Sequence, residues 1–263
     1  MLSMKNPKSL SAFMNVAAVV VASILCVAAV AAAPPTFVSA AVADASRPAE
    51  DRQRDADRKP AELVAFAGIK RGASVLELVP GGGYFTRILS QSIGPKGQLY
   101  TLSPAPRPDA PANAPDRAAP IKAIAADPHY ANVKLLIQPI KKLDLPAKLD
   151  LVWTTLNYHD IHNVPDIDLL AFNKAIYSAL KPGGVYFVID HTAAADAAAD
   201  VTSKLHRINP EVVKTEVLAA GFVLEAQSDL LKHPADPHTA AVFDASIRGK
   251  TDQFVFKFRK PTK

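Results

Sequence analysis

The stretch VLELVPGGGYFTRIL, from Val75 to Leu89, determines how the rest of the chain is interpreted. An apolar run leads into three consecutive glycines, and a segment with helical spacing follows. This order predicts a buried strand, a tight turn and a helix, by which many α/β proteins present backbone N–H groups to a ligand. We therefore expect a ligand at the turn formed by Gly81, Gly82 and Gly83.

Apolar runs and helical patterns alternate along the rest of the sequence. The predicted strands are Ser74 to Val79, Gly97 to Leu102, Val133 to Gln138, Leu149 to Thr155, Val185 to Asp190, Phe222 to Asp229 and Phe254 to Phe258. Helical patterns separate most of them, notably Tyr84 to Ile93, Ile167 to Leu180 and Glu211 to Ala220. Such alternation predicts a single doubly wound α/β domain, with a mainly parallel sheet and helices on both faces.

The first 43 residues have the features of a secretory signal. Lys5 and Lys8 form a basic start, Ala12 to Ala33 is almost wholly apolar, and Ala41-Val42-Ala43 offers small residues for cleavage. We predict cleavage near Ala43 and export to the periplasm or the exterior. The alternative is an uncleaved membrane anchor formed by residues 12–33, because about 20 apolar residues are enough to span a bilayer.

The chain after the predicted cut has a simple composition. It contains no sulfur and can form no disulfide, because the only Cys and all three Met lie in residues 1–43. Those residues carry two Lys and no acid, so the formal charge falls from +5 to +3. This charge is too small and scattered to indicate nucleic acid, and we expect no stable membrane insertion after cleavage. We predict that residues 44–59 form a charged, solvated arm and residues 60–263 the domain.

The connection between two of the predicted strands is rich in proline. Six prolines lie between Ser103 and Pro120, a composition that excludes a helix or a central strand there. We predict a loop, either a surface insertion or a flap beside the ligand cleft.

Two common nucleotide-binding motifs do not fit the glycine turn. A dinucleotide fingerprint needs a third glycine at position 86, which is Thr86, so NAD is disfavoured. A P-loop needs Gly-Lys followed by Ser or Thr, and none follows this turn. The ligand should therefore be of another kind.

Glu77 to Gly83 resembles the glycine motif of the class I S-adenosylmethionine-dependent methyltransferases, whose first strand ends in an acid before a glycine-rich turn. Leu149 to Trp153 is similar to the family's fourth strand, and Leu180 to Val185 to the turn into its fifth. The resemblance covers about residues 60–260, in particular to exported methyltransferases with a Pro-Gly-Gly-Gly-Tyr turn. It implies a Rossmann-like sheet of seven strands with an antiparallel last strand, S-adenosylmethionine as cofactor, and a small-molecule or peptide acceptor.

The resemblance also implies a cofactor site with two departures from the family. The implied cofactor-binding residues are Glu77, Gly81, Gly82, Gly83, Tyr84 and Ser103. Val79 replaces the first motif glycine, and because a β-branched residue is strained at positive φ, we expect an extended conformation there. Ser103 stands where the family has an acid that grips the ribose, which should weaken binding by roughly tenfold to a hundredfold. Asp109 is a possible substitute.

A polar segment after the fourth predicted strand is the candidate for catalysis. Methyl transfer needs alignment, and a base only when the acceptor must lose a proton. We predict His159 as the base, with Asp160 orienting it or holding the acceptor. Asn157, Tyr158 and His191 are candidate contacts for the acceptor. The alternative is that His159 merely packs and caps the loop, together with its neighbour His162.

The same residues leave two alternatives to this function. A non-catalytic binding protein that retains the fold is the main alternative, and a metal-dependent hydrolase is a weaker one. His159, His162 and His191 could bind zinc, but without a cysteine or a helical His-Glu pair we predict no metal. His206 and Arg207 are expected on a surface helix, and the alternative is that the chain returns there to the ligand cleft.

Overall fold

The computed structural model describes residues 33–106, 110–111 and 113–262. The apolar segment 12–32 and Asp109 lie outside the described residues, so the predictions that concern them remain predictions. Within the described part of the chain, no helix is long and apolar enough to cross a membrane.

One seven-stranded sheet organises the domain, as predicted. The strands are β1 Ser74–Leu78, β2 Gln98–Pro104, β3 Val133–Gln138, β4 Leu149–Thr155, β5 Leu180–His191, β6 Val223–Ser228 and β7 Gln253–Arg259. Their order is β3-β2-β1-β4-β5-β7-β6. The pairs among β1 to β5 are parallel, and β7 runs antiparallel between β5 and β6. The antiparallel last strand that the family resemblance implied is therefore confirmed.

Helices cover both faces of this sheet. They are α1 Thr36–Val42, α2 Ala49–Gln53, α3 Asp55–Arg58, α4 Pro60–Ala67, α5 Tyr84–Ile93, α6 Ala119–Ala126, α7 Tyr158–His162, α8 Leu169–Ala179, α9 Val201–Lys204 and α10 Pro210–Ala219. Side chains alternate along each strand, so one buried cluster joins Trp153 and Phe187 to α1, α4 and α5. A second cluster joins Val152 and Tyr186 to α7, α8 and α10.

The register of the parallel strands places three strand ends side by side. Leu78, the last residue of β1, pairs with Leu102 of β2 and with Thr154 of β4. Thr155, the last residue of β4, pairs with Ile189 near the end of β5. The segments that follow β1, β4 and β5 therefore share the carboxyl edge of the sheet, where open α/β folds bind their ligands.

The N-terminal segment packs onto the domain and differs from the solvated arm that we expected. Val38 of α1 is fully buried in the core beside α5. Arg47 is also buried, and its guanidinium donates two 2.8 Å hydrogen bonds to the carboxylate of Asp55. This charge pairing lets a charged segment lie against the protein. A cut near Ala43 would remove α1 from the core.

Candidate functional site

The three glycines of the turn after β1 differ in their surroundings. Gly81 and Gly83 have positive φ values of 58° and 83°. A Cβ on Gly83 would lie 2.2 Å from Cδ1 of Ile124 in α6, whereas a Cβ on Gly81 or Gly82 would meet nothing within 4 Å. Gly83 is therefore a packing position beneath α6, and Gly81 and Gly82 are the positions that a ligand can approach.

Val79 adopts the conformation that we predicted it would avoid. Its φ is +49°, in the left-handed region, so the prediction of an extended residue was wrong. Two contacts hold it: its N–H donates to Leu102 O at 2.9 Å, and its carbonyl accepts from Nδ2 of Asn157 at 3.3 Å. The turn thus keeps the backbone path of a glycine although the side chain is β-branched. Strain of this kind costs about 1–3 kcal/mol and is commonly retained at functional sites.

Glu77 lies beneath the turn rather than in the open. Its buried carboxylate accepts a 2.6 Å hydrogen bond from the Thr86 hydroxyl of α5. Burial raises the pKa of Glu77 to about 8, although the hydrogen bond from Thr86 and the charge of Arg58 oppose this rise. Glu77 therefore ties β1 to the first turn of α5, and its distance from solvent makes a direct cofactor contact unfavourable in this arrangement.

Tyr84 connects α5 to the N-terminal segment. Its hydroxyl donates a 2.6 Å hydrogen bond to Asp55, and the guanidinium of Arg58 lies 4.1 Å from its ring centroid. Burial lowers the pKa of Arg58 to about 10. Tyr84, which the resemblance assigned to the cofactor site, thus anchors the segment that precedes β1. Ser103, the other assigned position, is buried near the end of β2.

His159 is held by a carboxylate other than the one we predicted. Asp190, the buried penultimate residue of β5, accepts from the His159 backbone N–H and from Nδ1, each at 2.8 Å. Asp160 lies 3.5 Å from the opposite nitrogen, Nε2, and its side chain is 53% exposed. The prediction that Asp160 orients the imidazole is therefore corrected, because Asp190 makes the orienting bonds.

The environment of His159 favours its charged form. Burial lowers the pKa of His159, but the hydrogen bond to Asp190 and the negative charges of Asp190 and Asp160 outweigh burial, so the pKa is raised. Because a carboxylate only accepts hydrogen bonds, Nδ1 is the donor to Asp190. Nε2 is then the nitrogen on the side of Asp160.

Two predicted acceptor contacts instead hold the fold together. Asn157 is buried, and its Nδ2 donates to the carbonyls of Leu78 and Val79, which joins the ends of β1 and β4. The hydroxyl of buried Tyr158 donates to Glu216 at 2.9 Å on the opposite side of α7. These contacts use the polar groups of both residues, so the structure does not bring them to the acceptor side.

Two further histidines lie beside His159. Nδ1 of His191 is 2.8 Å from the hydroxyl of Thr251, and burial lowers the pKa of His191 to about 4. The ring centroid of His206 is 5.4 Å from that of His159, and the two rings are perpendicular. His206 was expected on a surface helix together with Arg207, but Arg207 is fully buried. The rim after β4 and β5 therefore gathers three histidines.

The sequence placed Asp190 at the end of the fifth strand but gave it no role, and it favoured a surface helix over the cleft for His206. Asp190 carried a usable signal, because a charged residue at the carboxyl end of a buried strand is costly unless it is paired. His206 carried none, since it lies in a connection whose path depends on the burial of Arg207 and on the loop that contains Asp236.

The sequence profile of the methyltransferase domain matches residues 49–219. This chain belongs to the methyltransferase-domain family. The match begins within α2, so it includes part of the N-terminal segment that packs beside the glycine turn, and it ends with α10. No curated protein sequence matches the chain.

Solved structures of methyltransferases share the fold at low sequence identity. An S-adenosylmethionine-dependent methyltransferase from Aquifex aeolicus is 17% identical, with a TM-score of 0.56 over 81% of this chain and 98% of that one. Another from Mesorhizobium loti is 18% identical, with a TM-score of 0.52 over 78% and 99%. An arsenic(III) S-adenosylmethionine methyltransferase from Chlamydomonas reinhardtii is 20% identical, with a TM-score of 0.52 over 87% and 74%. At these identities the likeness concerns the fold alone.

Proposed function

We propose that this protein transfers the methyl group of S-adenosylmethionine to a small-molecule or peptide acceptor. The observation that carries the proposal is the carboxyl edge of the sheet, where an open glycine turn and an oriented histidine lie on neighbouring strand ends. Gly81 and Gly82 leave room beside the backbone. His159 is fixed by Asp190 on the other side of the same edge. Family membership and the methyltransferase fold support the same reaction.

The cofactor half of the proposed site acts through backbone shape. Left-handed residues at Val79, Gly81 and Gly83 turn the chain sharply between β1 and α5. Backbone N–H groups at such a turn are suited to an anionic or polar ligand. Ser103 offers a hydroxyl where many methyltransferases have a carboxylate, so we expect weaker binding of the ribose.

The acceptor half acts through side chains. Nδ1 of His159 donates to Asp190, so in the neutral imidazole the lone pair lies on Nε2, the nitrogen left for the acceptor. Asp160 lies next to that nitrogen and is accessible to a bound acceptor. Methyl transfer to a protonated acceptor requires activation of the accepting atom. We assign this activation to Nε2 of His159.

Calorimetric titration of the purified protein with S-adenosylmethionine and S-adenosylhomocysteine tests the cofactor assignment. We expect both to bind at one site per chain, and methyl transfer to follow once an acceptor is supplied. Binding without transfer to any of a broad set of acceptors would favour the non-catalytic binding protein. Absence of binding would reject the proposal.

The proposed location is outside the cytosol, after removal of an N-terminal signal of the exported type. The small residues alone suggest cleavage near Ala43. Because Val38 of α1 is part of the core, we expect cleavage before α1 instead. A processed chain should therefore retain residues from Thr36 onward. Intact mass of the protein from its native host checks this, and a chain that begins at Asp44 would contradict it.

A further inference from the structure

The rim after β4 and β5 contains a compact group of three potential metal ligands. Nε2 of His159 lies 3.5 Å from Oδ1 of Asp160, and Nδ1 of His206 lies 3.6 Å from the same oxygen. The donor atoms of the three residues all lie within 4.8 Å of one another. Two ligands bound to one zinc ion at tetrahedral angles are roughly 3.4 Å apart, given bonds of about 2.1 Å. Small side-chain movements would therefore bring all three onto one cation.

The hydrogen bond behind His159 has the arrangement found behind metal-ligating histidines. Such a histidine usually donates its second ring N–H to a carboxylate or carbonyl, which fixes the ring and the tautomer. Asp190 accepts from Nδ1 of His159 at 2.8 Å and is itself fixed by the backbone N–H of His191. The lone pair of Nε2 therefore points away from Asp190 towards Asp160.

His206 has an unfavourable backbone conformation at this position. Its φ of +54° is unfavourable for a histidine, by about 1–3 kcal/mol. The next residue, Arg207, fixes it, because that buried guanidinium makes two hydrogen bonds of 2.8 and 2.9 Å to the carboxylate of Asp236. On its other side, the ring of His206 packs against Phe243 at a centroid distance of 4.9 Å. The ring is thus positioned by groups that do not belong to the cluster.

We propose that His159, Asp160 and His206 form a binding site for a divalent transition-metal cation, with zinc as the best match. Two imidazole nitrogens and one carboxylate suit zinc and its neighbours better than magnesium or calcium, which prefer all-oxygen sites. Three protein ligands leave a coordination position for water or substrate. The side chains of His159, Asp160 and His206 are 4%, 53% and 32% exposed, so that position faces the solvent side of the rim.

The metal site depends on the proposed function only for the role that the bound cation would have in methyl transfer. A cation bound to Nε2 of His159 would occupy the lone pair that faces the acceptor. The cation would then be the activating group, because a bound hydroxyl or thiol loses its proton more readily, and that proton would pass to water at the solvent-facing position. Metal binding itself is independent of the cofactor, since the three ligands come from the segments that follow β4 and β5.

Zinc calorimetry of the full-length protein, after chelator treatment and dialysis, tests the site. We expect one Zn²⁺ per chain, with at least about tenfold weaker binding in Asp160→Asn and His206→Ala. His162→Ala is the matched control, because His162 lies on α7 with the first two ligands but contacts Glu216 at 3.0 Å instead. Its zinc affinity should equal that of the parent.

Parallel titration with S-adenosylhomocysteine separates this proposal from the proposed function. Retained cofactor binding with lost zinc binding in both ligand variants would support the metal site. Absence of zinc binding in the parent, or parental zinc affinity in both variants, would overturn the metal site and leave the methyltransferase assignment standing. If His206→Ala no longer unfolds cooperatively, Asp160→Asn decides alone, since its half-exposed side chain is not needed for packing.

Discussion

The turn after β1 and the histidine rim occupy the same edge of the sheet but are built in opposite ways. The turn comes from consecutive residues, Val79 to Tyr84, whereas the rim draws on residues 159–160, 190–191 and 206. The turn acts through the shape of its backbone, and the rim through ring nitrogens and carboxylates. A substitution in the turn should therefore change binding or folding, and one in the rim should change chemistry.

The largest effect is expected on the rim side. His159→Ala removes Nε2 and should lower methyl transfer by roughly 10² to 10⁴ fold, with unchanged affinity for S-adenosylhomocysteine. Asp190 keeps its backbone donors at residues 159 and 191 in this variant. Steady-state assays with an identified acceptor measure the loss. His162→Ala should stay near the parental rate, and full turnover in His159→Ala would show that alignment alone carries the reaction.

Within the turn, two neighbouring glycines should respond differently. Gly82→Val adds a Cβ that meets nothing within 4 Å, so the fold should persist while affinity for S-adenosylhomocysteine falls at least about tenfold. Gly83→Val would collide with Ile124 at a positive φ and should lower the melting temperature instead. Calorimetry and thermal melts of both variants make the comparison. Parental affinity in Gly82→Val would place the cofactor elsewhere.

The raised pKa of Glu77, beneath the turn, predicts that stability falls as pH rises. The pKa of Glu77 is about 8 in the folded protein, above its ordinary value of 4.5. The folded state thus keeps a proton that the unfolded chain releases, so this contribution to stability is full below pH 4.5 and is lost as pH rises to about 8. Glu77→Gln should flatten that slope in urea unfolding measured between pH 5 and 8. Identical slopes in parent and variant would contradict the buried, protonated carboxyl.

The smallest expected effect concerns Val79. Glycine relieves the strain of a left-handed φ but removes partly buried apolar contacts. We expect Val79→Gly to change the free energy of unfolding by no more than about 1 kcal/mol. Val152→Gly, in the fully buried middle of β4, is the contrasting substitution and should destabilise by several times as much. Equal losses in the two variants would mean that Val79 is not strained.

The same contrast between local and distant residues explains how much the sequence predicted. The bounds of β3 and β4 are those expected from their apolar runs. For β4, burial on both faces leaves a continuous apolar signal. The strand, turn and helix around Gly81 were likewise readable from adjacent residues. Val79 was not, since its left-handed conformation depends on a hydrogen bond from Asn157, which is distant in sequence.

The arrangement of the rim and of the N-terminal segment depends on contacts between residues that are far apart in the sequence. No short sequence pattern contains such contacts. Asp190 became the partner of His159 only because the register of β4 and β5 brings their ends together. Arg47 and Asp55 were interpreted as solvated charges, but their bidentate pairing and the hydroxyl of Tyr84 allow the segment to pack. The sequence alone offered no means of pairing these groups.

Amide hydrogen exchange with and without S-adenosylhomocysteine tests whether the cofactor binds at the glycine turn and leaves the histidine rim free. Added ligand should slow exchange in peptides that cover Val79 to Tyr84, where backbone N–H groups meet the cofactor. Peptides that cover α7, from Tyr158 to His162, should exchange at nearly the same rate with and without ligand. Protection centred on α7, with none at the turn, would contradict the assignment of the cofactor to the glycines.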